Sequence, residues 1–589
     1  MRRSGRGVTS GRRSARPGGV RRLAEGEAVF DRADVIVIGG GATGVGVLWD
    51  LVLRGFDVVL VEQAGLASGT SGAFHGLLHS GGRYAGTDPE TAAGCLAENR
   101  ILKSVARSFI RETGGLFVRL EEDPEDWEER WLEGCRRAGL SPVPVRRDEV
   151  LDLEPHLTST VLKAYRVPDA AVDGFGLLWS LVWSSVAAGA RVYLRARVTG
   201  FLTDEDGVRG VEVVGLGGTE ERAAAVTEGR FPQAEPGEIT AEVVVNATGP
   251  WAQETAALAC PAAAASVPLG HDKGVMLIFN SRLVSHVVNR LRPPADGDIL
   301  VPHGPVTILG TTSGNVPGPG RLLPEPEEVA LLLCEGRALL PDIDRVPPLR
   351  AYAGVRPLLK EAVDHTDPGA GRGGGRGFLL VDHGETDGLP GLVTVLGGKF
   401  TTFRAMAAET GDLVCRLVGR PARCRTAEVG VPRLGSPVPR PPAAPVSRAP
   451  LTTGAERAAH GRERPDLADS LVCECEFVSS SRLVSLLDAG LALSDARRLC
   501  RLGMGGCQGI FCTQRLAGAL FGAGWPGDTA QPRTDREAVR AETDAFRRGR
   551  LTGVAAVQWG GQARLSALAA ALERLTFGRP GREGEEKVR

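Results

Sequence analysis

The chain has 589 residues, of which 42% are hydrophobic and 24% are charged, and its formal net charge is −1 at pH 7. This length exceeds a single hydrophobic core and predicts about three or four folding units. The proportion of hydrophobic to charged residues is that of a globular protein, and the near-zero net charge gives no reason to expect a nucleic-acid partner.

The first 32 residues are basic and contain few apolar side chains. They lack the continuous apolar core of a secretory signal, so we predict a disordered basic leader over residues 1–32. A transit peptide and a start codon placed too far upstream are the alternatives. Without a secretory signal we expect a cytoplasmic protein, whose 11 cysteines serve metal or redox roles rather than disulfides.

The next segment has the pattern of a βαβ unit. An apolar, β-branched run at residues 34–38 leads into glycines, a helical stretch at 42–54 and a second apolar run at 58–62. Strand-like and helix-like segments then alternate to about residue 430, which predicts a mixed α/β fold. Further predicted strands are residues 191–198, 210–214, 242–246, 306–310 and 392–396. The longest uncharged run, 174–190, is shorter than the roughly 20 residues of a membrane span and predicts a buried helix.

A glycine motif joins the first strand to the first helix. Gly39, Gly41 and Gly44 fit the pattern GxGxxG, which allows a tight turn, close approach of a pyrophosphate, and helix–strand packing. Glu62 ends the next strand, where its carboxylate can accept the ribose hydroxyls. These residues predict a dinucleotide site.

Two later glycine-rich turns favour FAD over NAD. The first follows a strand and contains Ala247, Thr248 and Gly249, and the second contains Gly398 and Lys399. A single NAD site seldom needs turns so far apart in the chain, whereas several loops must close around the longer FAD. We therefore predict FAD as the cofactor.

Composition changes mark the later boundaries. Residues 369–377 are rich in glycine and predict a surface loop, and residues 430–450 are rich in proline and predict an extended linker. We expect an oxidoreductase unit at 33–430, a linker at 431–465, a cysteine-bearing unit at 466–524 and a C-terminal tail at 525–589. The tail, near Trp559, is a candidate docking element for a partner.

The cysteine-bearing unit combines a CxC pair with a CxxxxC pair. Four thiolates so spaced can hold a [2Fe–2S] cluster, and the nearby glycines let the backbone approach the sulfurs. A structural zinc ion is the alternative occupant. The predicted metal ligands are Cys473, Cys475, Cys507 and Cys512.

The segment 65–84, GLASGTSGAFHGLLHSGGRY, resembles the flavin-facing loop of FAD-dependent glycerol-3-phosphate dehydrogenases. Further segments resemble the same family in the same order, at 295–313, 351–358, 379–389 and 397–404. The cysteine sequences VCECE and GMGGCQGIFC resemble the bacterioferritin-associated-ferredoxin-like domain of large subunits of the anaerobic type. Phe74 stands where this family usually has a polar residue.

The resemblance implies a Rossmann-like FAD-binding domain of the glutathione-reductase or D-amino-acid-oxidase type with an interleaved α+β substrate domain. A small, mostly helical [2Fe–2S] domain follows. The FAD-binding part is expected at about 33–100, 160–265 and 345–430, and the substrate part at about 101–159 and 266–344.

The resemblance also implies roles for residues around the flavin. It puts Ser68, Thr70 and Ser71 around the pyrophosphate and the isoalloxazine ring, with Lys399 in a loop over the flavin. A phosphate dianion requires fixed positive charge, which a guanidinium supplies through paired hydrogen bonds. The implied substrate-binding residues are Arg83, Tyr84, Arg356 and Arg376.

Oxidation at a carbinol carbon moves a hydride to the flavin while a base removes the hydroxyl proton. His79 is the candidate base, and Lys399 or an arginine could stabilise the developing alkoxide. The implied catalytic residues are His79, Arg83, Arg356 and Lys399.

The implied activity is oxidation of sn-glycerol 3-phosphate to dihydroxyacetone phosphate. The electrons are expected to pass through the cluster to electron-transfer and membrane-anchoring subunits and indirectly to quinone, with the chain peripheral at the inner face of the membrane. One alternative is an enzyme of the same superfold acting on another 2-hydroxy or amino compound. Another is an iron–sulfur redox sensor or electron-transfer module without turnover.

Overall fold

The computed structural model describes residues 20–21, 30–215, 236–320, 322–359, 377–433, 470–488, 491–506, 509, 511–512, 515–516, 536–558, 563–564, 568 and 571. The predicted glycine-rich loop lies outside this part of the chain except for Gly377, and the predicted linker does so beyond residue 433. Arg376, Cys507 and Trp559 also lie outside the described residues.

A mostly parallel sheet carries the first glycine turn at its carboxyl edge. Within the described residues it has seven strands, and its last pair is antiparallel. The central strands are buried on both faces, as expected where helices cover a parallel sheet. In spatial order the strands are Val20–Arg21, Arg191–Leu194, Val58–Glu62, Val35–Ile38, Val243–Asn246, Leu392–Gly397 and Phe378–Asp382.

The helix Ala42–Leu53 covers one face of this sheet and packs against Gly174–Ala187 and Phe403–Val418. Its apolar residues, with those of the sheet, form the core beneath the glycine turn. The predicted βαβ unit is confirmed, with the helix ending at Leu53 and the second strand at Val58–Glu62. The predicted buried helix in the uncharged run is Gly174–Ala187.

A second sheet packs beside the first and includes residues of the predicted leader. Its strands are Ala196–Asp204, Gly207–Gly215, Pro236–Thr240 and Phe30–Arg32. Phe30–Arg32 runs parallel to Pro236–Thr240, and Val20–Arg21 pairs with Arg191–Leu194. The disordered leader predicted over 1–32 therefore includes residues that form strands, because their partners lie far along the chain and local composition does not reveal them.

The oxidoreductase unit also contains a large mixed sheet. Within the described residues it has nine strands. They are Val143–Val145, Val161–Val167, Gly115–Leu120, Val287–Arg290, Ile299–His303, Val306–Gly310, Leu269–Phe279, Gly314–Asn315 and Pro348–Leu359. Two of them extend this sheet beyond the predicted substrate part, because Val161–Val167 pairs with Gly115–Leu120 and Pro348–Leu359 pairs with Leu269–Phe279.

A short antiparallel sheet is formed by Leu77–Leu78, Ala170–Val172 and Ile110–Arg111. The other helices of the oxidoreductase unit within the described ranges are Gly82–Ala85, Pro89–Val105, Glu125–Arg137, Arg147–Leu153, Ala252–Ala257, Pro261–Ala265, Pro326–Leu339 and His383–Asp387. Short 3₁₀ turns occur at Thr70–Gly72, Arg107–Phe109, Gly249–Trp251, Ile343–Arg345 and Phe400–Thr402.

Within its described residues the cysteine-bearing unit is a short hairpin followed by helices, in agreement with the predicted mostly helical domain. A hairpin of Leu471–Cys473 and Val478–Ser479 leads into the helices Ser480–Asp488 and Leu493–Cys500. A later helix, Arg536–Ala555, packs on Leu493–Cys500 and on the strand Pro348–Leu359. This part of the predicted C-terminal tail is therefore occupied by packing within the chain.

No helix in the described part of the chain combines the length and the apolar character needed to cross a bilayer.

Candidate active site

A cavity of about 980 Å³ opens at the carboxyl edge of the parallel sheet. Its wall includes turns after the strands Val35–Ile38, Val58–Glu62, Val243–Asn246 and Leu392–Gly397. Ligands of open α/β sheets bind at this edge, where the strand order reverses. The volume suits an extended ligand such as a dinucleotide.

The first turn has the shape needed for contact with a pyrophosphate. Gly39 has a φ of +112°, and a Cβ there would lie 2.6 Å from the carbonyl oxygen of Ala247. A Cβ at Gly44 would overlap the carbonyl oxygen of Gly39, so the helix packs directly on the turn. The Ala42 N–H donates to the Ser71 hydroxyl at 2.8 Å. The helix N-terminus thus faces the cavity, and such termini bind phosphate through backbone donors.

Glu62 is held by backbone donors at the end of its strand. Oε2 accepts from the Gly40 N–H at 2.6 Å and Oε1 accepts from the Ala64 N–H at 2.7 Å. Burial raises the pKa of Glu62, and these hydrogen bonds oppose the rise. Because a carboxylate oxygen can accept more than one hydrogen bond, Glu62 retains capacity for ribose hydroxyls.

The predicted cofactor residues come from separate turns, and the fold brings all but one of them to this cavity. Gly44 lies behind the turn, where it permits the helix to pack. Thr70 also ties the cavity wall to the large sheet, since its hydroxyl donates to the Val355 carbonyl at 2.5 Å. The predicted residues that line the cavity are Gly39, Gly41, Glu62, Ser68, Thr70, Ser71, Ala247, Thr248, Gly249, Gly398 and Lys399.

A smaller pocket of about 100 Å³ adjoins the cavity. His75, His79, Tyr84 and Arg356 line both spaces, and Arg83 lines the small pocket. The pocket therefore combines two guanidinium groups with two imidazoles beside the cofactor space. Such a set suits a small anion that also carries a hydroxyl group.

Both arginines are positioned by buried carboxylates. Arg83 Nη1 lies 3.3 Å from Asp298 Oδ2. Arg356 donates to Asp272 Oδ2 and to the Thr311 hydroxyl, and its side chain is 23% exposed. Because a buried ion pair restricts the guanidinium, each arginine presents its charge to the pocket from a defined position.

The two histidines differ in what they can do. Burial lowers the pKa of His75 to about 3, and the charges of Arg356 and Arg83 add to this effect, so the ring is neutral near pH 7. His75 Nδ1 accepts from the Leu77 N–H at 3.2 Å, which leaves the ring proton on Nε2. His75 is therefore suited to donate a hydrogen bond. Because Nδ1 of His75 is occupied and its Nε2 carries the proton, His79, whose ring centroid lies 5.8 Å from that of His75, remains the candidate for a base.

His75 has no role predicted from the sequence, although it shares the HGLLH segment with His79. Its protonation state depends on burial and on the charges of Arg356 and Arg83, which come together only in the folded chain.

Aromatic groups form part of the wall. The Phe74 and Phe400 rings stack with centroids 4.3 Å apart and an interplanar angle of 9°. Lys399 Nζ lies 4.5 Å from the centroid of the Tyr84 ring. Phe74, at the position where the resembling family is usually polar, thus contributes an apolar surface to the cavity. The predicted substrate role of Arg376 stays a prediction because Arg376 lies outside the described residues.

The predicted metal ligands are described in part. Cys473 and Cys512 are buried and Cys475 is exposed, while Cys507 lies outside the described residues. A Cβ at Gly505 would overlap the Cβ of Cys475, so the backbone passes close to this cysteine. The described residues contain no group of three or more His, Cys, Asp or Glu side chains arranged for a metal ion. The metal site therefore stays a prediction.

The parallel sheet, the glycine turn and the long cavity define an α/β fold with a site for a dinucleotide. A family model described as DAO, FAD dependent oxidoreductase, matches residues 34–410. The chain belongs to this family of FAD-dependent oxidoreductases, and FAD is its cofactor.

Two relatives are similar over most of their length. The chain is 38% identical over 566 residues to the A1 subunit of the anaerobic glycerol-3-phosphate dehydrogenase of Haloferax volcanii, covering 92% of this chain and 90% of the relative. It is 37% identical over 541 residues to the corresponding A-type subunit of the anaerobic glycerol-3-phosphate dehydrogenase of Escherichia coli K12, covering 90% of this chain and 94% of the relative.

Solved structures share the fold at low sequence identity. The glycerol-3-phosphate dehydrogenase from Bacillus halodurans complexed with FAD has a TM-score of 0.55 and 19% identity, covering 90% of this chain and 96% of that chain. The L-alpha-glycerophosphate oxidase from Mycoplasma pneumoniae with FAD bound has a TM-score of 0.52 and 18% identity, covering 67% of this chain and 97% of that chain.

Proposed function

We propose that this enzyme oxidises sn-glycerol 3-phosphate to dihydroxyacetone phosphate and passes the electrons through a [2Fe–2S] cluster to partner subunits and quinone. The observation that carries the proposal is the small pocket, in which Arg83 and Arg356 lie with two histidines beside the cofactor cavity. The names of the relatives that match 90% or more of this chain support glycerol 3-phosphate as the substrate.

The two arginines suit a phosphorylated alcohol better than a neutral one. In this proposal Arg83 and Arg356 bind phosphate oxygens, and the ion pairs with Asp298 and Asp272 hold the guanidiniums in place before the substrate arrives. Positioning in advance reduces the entropy lost on binding. Tyr84 completes the wall, and Arg376 is proposed as a further substrate contact.

The reaction removes a hydride from C2 and a proton from the C2 hydroxyl, so two electrons leave the substrate. FAD supplies the hydride acceptor. His79 is proposed to take the hydroxyl proton, and His75, with its proton on Nε2, to donate a hydrogen bond to the oxygen as negative charge develops. Lys399 adds positive charge beside Tyr84.

The cysteine-bearing unit is proposed to hold the cluster through Cys473, Cys475, Cys507 and Cys512, with zinc as the alternative. A cluster accepts single electrons, which suits transfer from a two-electron donor to an external chain. Both relatives are named as single subunits of a dehydrogenase, which supports further electron-transfer and membrane-anchoring subunits for this chain. Such partners would hold this chain at the inner face of the cell membrane.

The test is an anaerobic titration of the purified protein with glycerol 3-phosphate. We expect flavin absorbance to fall in proportion to added substrate, and an EPR signal of a one-electron-reduced cluster to appear. Flavin that is not reduced by glycerol 3-phosphate but is reduced by another 2-hydroxy or amino compound would contradict the proposed substrate. Protein that binds FAD yet shows no steady-state oxidation with an artificial acceptor would support the redox-sensor alternative.

Arginine variants test the pocket separately from the flavin. Arg83→Gln and Arg356→Gln are each expected to raise KM for glycerol 3-phosphate about 10- to 100-fold, the effect of losing a charged hydrogen bond. Arg337→Gln is the matched control, because Arg337 pairs with Asp344 at the surface. Unchanged KM values in both pocket variants would contradict the phosphate assignment.

A further inference from the structure

The helix Leu493–Cys500 of the cysteine-bearing unit reaches the wall of the FAD cavity. Its residue Arg498 lines this cavity together with Glu62 and Ser68. Arg498 lies outside the matched FAD family region, which ends at residue 410. The cofactor space is therefore completed by a part of the chain beyond the family domain.

Arg498 contacts the loop that sequence analysis assigned to the pyrophosphate. Its Nη1 donates to the Ser68 hydroxyl at 2.9 Å and to the Leu66 carbonyl at 3.4 Å. The Ser68 hydroxyl in turn donates to the Gly65 carbonyl at 2.5 Å. The Arg498 side chain is 21% exposed and lines the cavity.

An ion pair also holds the helix at this place. The side chain of Asp495 is fully buried, and its Oδ2 accepts from Arg195 Nη2 at 2.7 Å. Asp495 Oδ1 lies 3.6 Å from Arg498 Nη1. The Arg195 N–H donates to the Ala64 carbonyl at 3.0 Å, which connects this ion pair to the backbone two residues after Glu62.

The loop is shaped to admit this helix. A Cβ at Gly65 would overlap Asp495 Oδ1 and would lie 3.0 Å from Arg498 Nη1. A side chain at this position would therefore push Asp495 and Arg498 away from the cavity. The absence of a side chain at residue 65 permits the close approach of a carboxylate and a guanidinium to the loop backbone.

The charge of Arg498 also acts on the ribose-binding carboxylate. Burial raises the pKa of Glu62, Asp495 adds to the rise, and Arg498 opposes it. A guanidinium beside Glu62 thus favours the ionised form that accepts ribose hydroxyls, and it can itself donate to phosphate or ribose oxygens.

We propose that Arg498 is a cofactor-binding residue, which donates hydrogen bonds to ribose or pyrophosphate oxygens at the adenosine end of FAD. The inference rests on the proposed placement of FAD in this cavity and not on the identity of the substrate. Because the contact requires the docked helix, FAD binding and docking of the cysteine-bearing unit stabilise each other. Unfolding or undocking of the cysteine-bearing unit therefore lowers the affinity of the oxidoreductase domain for FAD.

The experiment measures cofactor binding in the full-length protein. FAD release is followed by the gain in flavin fluorescence, and ADP, which carries the adenosine and pyrophosphate without the flavin, is titrated into the apoprotein. Arg498→Met is expected to speed FAD release and to weaken ADP binding by about tenfold or more, as for the loss of a charged hydrogen bond. Arg498→Lys keeps the positive charge but loses the planar guanidinium. Its FAD release rate and ADP affinity are expected to lie between those of Arg498→Met and the unaltered protein.

Arg195→Met is the matched control for docking. It removes the partner of Asp495 from outside the cavity wall, so it loosens the helix without deleting a cofactor contact. We expect a smaller effect on ADP affinity than in Arg498→Met. FAD release and ADP affinity within twofold of the unaltered protein in Arg498→Met would overturn the assignment. Flavin reduction by glycerol 3-phosphate is a separate readout, and its failure would contradict the proposed substrate alone.

Discussion

Asp272 and Arg356 face each other in register on two antiparallel strands, and the Asp272 carboxylate accepts a hydrogen bond from the Arg356 guanidinium. The Asp272 Oδ1 atom also accepts from the Ser313 hydroxyl at 2.8 Å and from the Gly314 N–H at 2.9 Å. Backbone pairing and these two donors fix the carboxylate. The carboxylate in turn fixes the cation at the small pocket.

Asp272→Asn is expected to lower kcat/KM for glycerol 3-phosphate by about 10- to 100-fold, because the amide cannot pair the guanidinium charge and Arg356 loses its fixed position. FAD content should be unchanged, since Asp272 does not line the cofactor cavity. Steady-state kinetics with an artificial acceptor give the measurement. Asp344→Asn, which breaks a surface pair with Arg337, is the control, and equal kinetics in the two variants would refute this positioning role.

The pKa of His75 predicts a dependence of stability on pH. Burial lowers this pKa to about 3, so between pH 6.5 and 3 the unfolded chain binds a proton that the folded chain does not. Stability is therefore expected to fall as the pH falls through this window. His303, with a pKa lowered to about 4, acts in the same direction and remains in the variant.

Urea unfolding of His75→Gln at pH 7 and pH 4.5 tests this expectation. The free energy of unfolding of the variant should change less between the two pH values than that of the unaltered protein. His156→Gln, at an exposed histidine, is the control and should keep the full change. A variant with the same pH dependence as the unaltered protein would show that His75 is not the titrating group.

Gly44→Ala tests the packing of the glycine turn. Its Cβ would overlap the Gly39 carbonyl oxygen, and we expect a loss of about 1–3 kcal/mol in the free energy of unfolding together with weaker FAD binding. Gly94→Ala is the matched control in the helix Pro89–Val105, where a Cβ meets no atom within 4 Å. That change should stabilise the protein by about 0.5–1 kcal/mol. Denaturant titrations with flavin fluorescence distinguish the two, and similar stabilities would contradict the overlap.

Cys475→Ser tests the predicted cluster. We expect loss of bound iron and of the cluster EPR signal, with glycerol 3-phosphate still reducing the flavin and turnover with the natural acceptor chain strongly reduced. Cys334→Ser, at an exposed cysteine on the helix Pro326–Leu339 of the oxidoreductase unit, should retain iron. Zinc in place of iron in the unaltered protein, or full iron content in Cys475→Ser, would contradict the predicted ligand.

The sequence by itself determined the features that depend on neighbouring residues. The βαβ unit was predicted from apolar runs and a glycine turn, and the strand Val306–Gly310 has its predicted bounds, because β-branched runs and turn glycines act locally on the backbone. The same local pattern predicted that Gly39 and Glu62 belong to one site, because a single helix and a single strand separate them in the chain.

Only the tertiary structure decided what depends on partners far along the chain. The contact between Arg498 and Ser68 joins residues 430 positions apart, and no local sequence pattern predicts it. The neutral state of His75 follows from burial between two arginines, and the true extent of the large sheet follows from the pairing of Val161–Val167 and Pro348–Leu359. Burial, strand register and charge contacts of this kind arise when the chain closes on itself, so they are properties of the folded arrangement rather than of any segment.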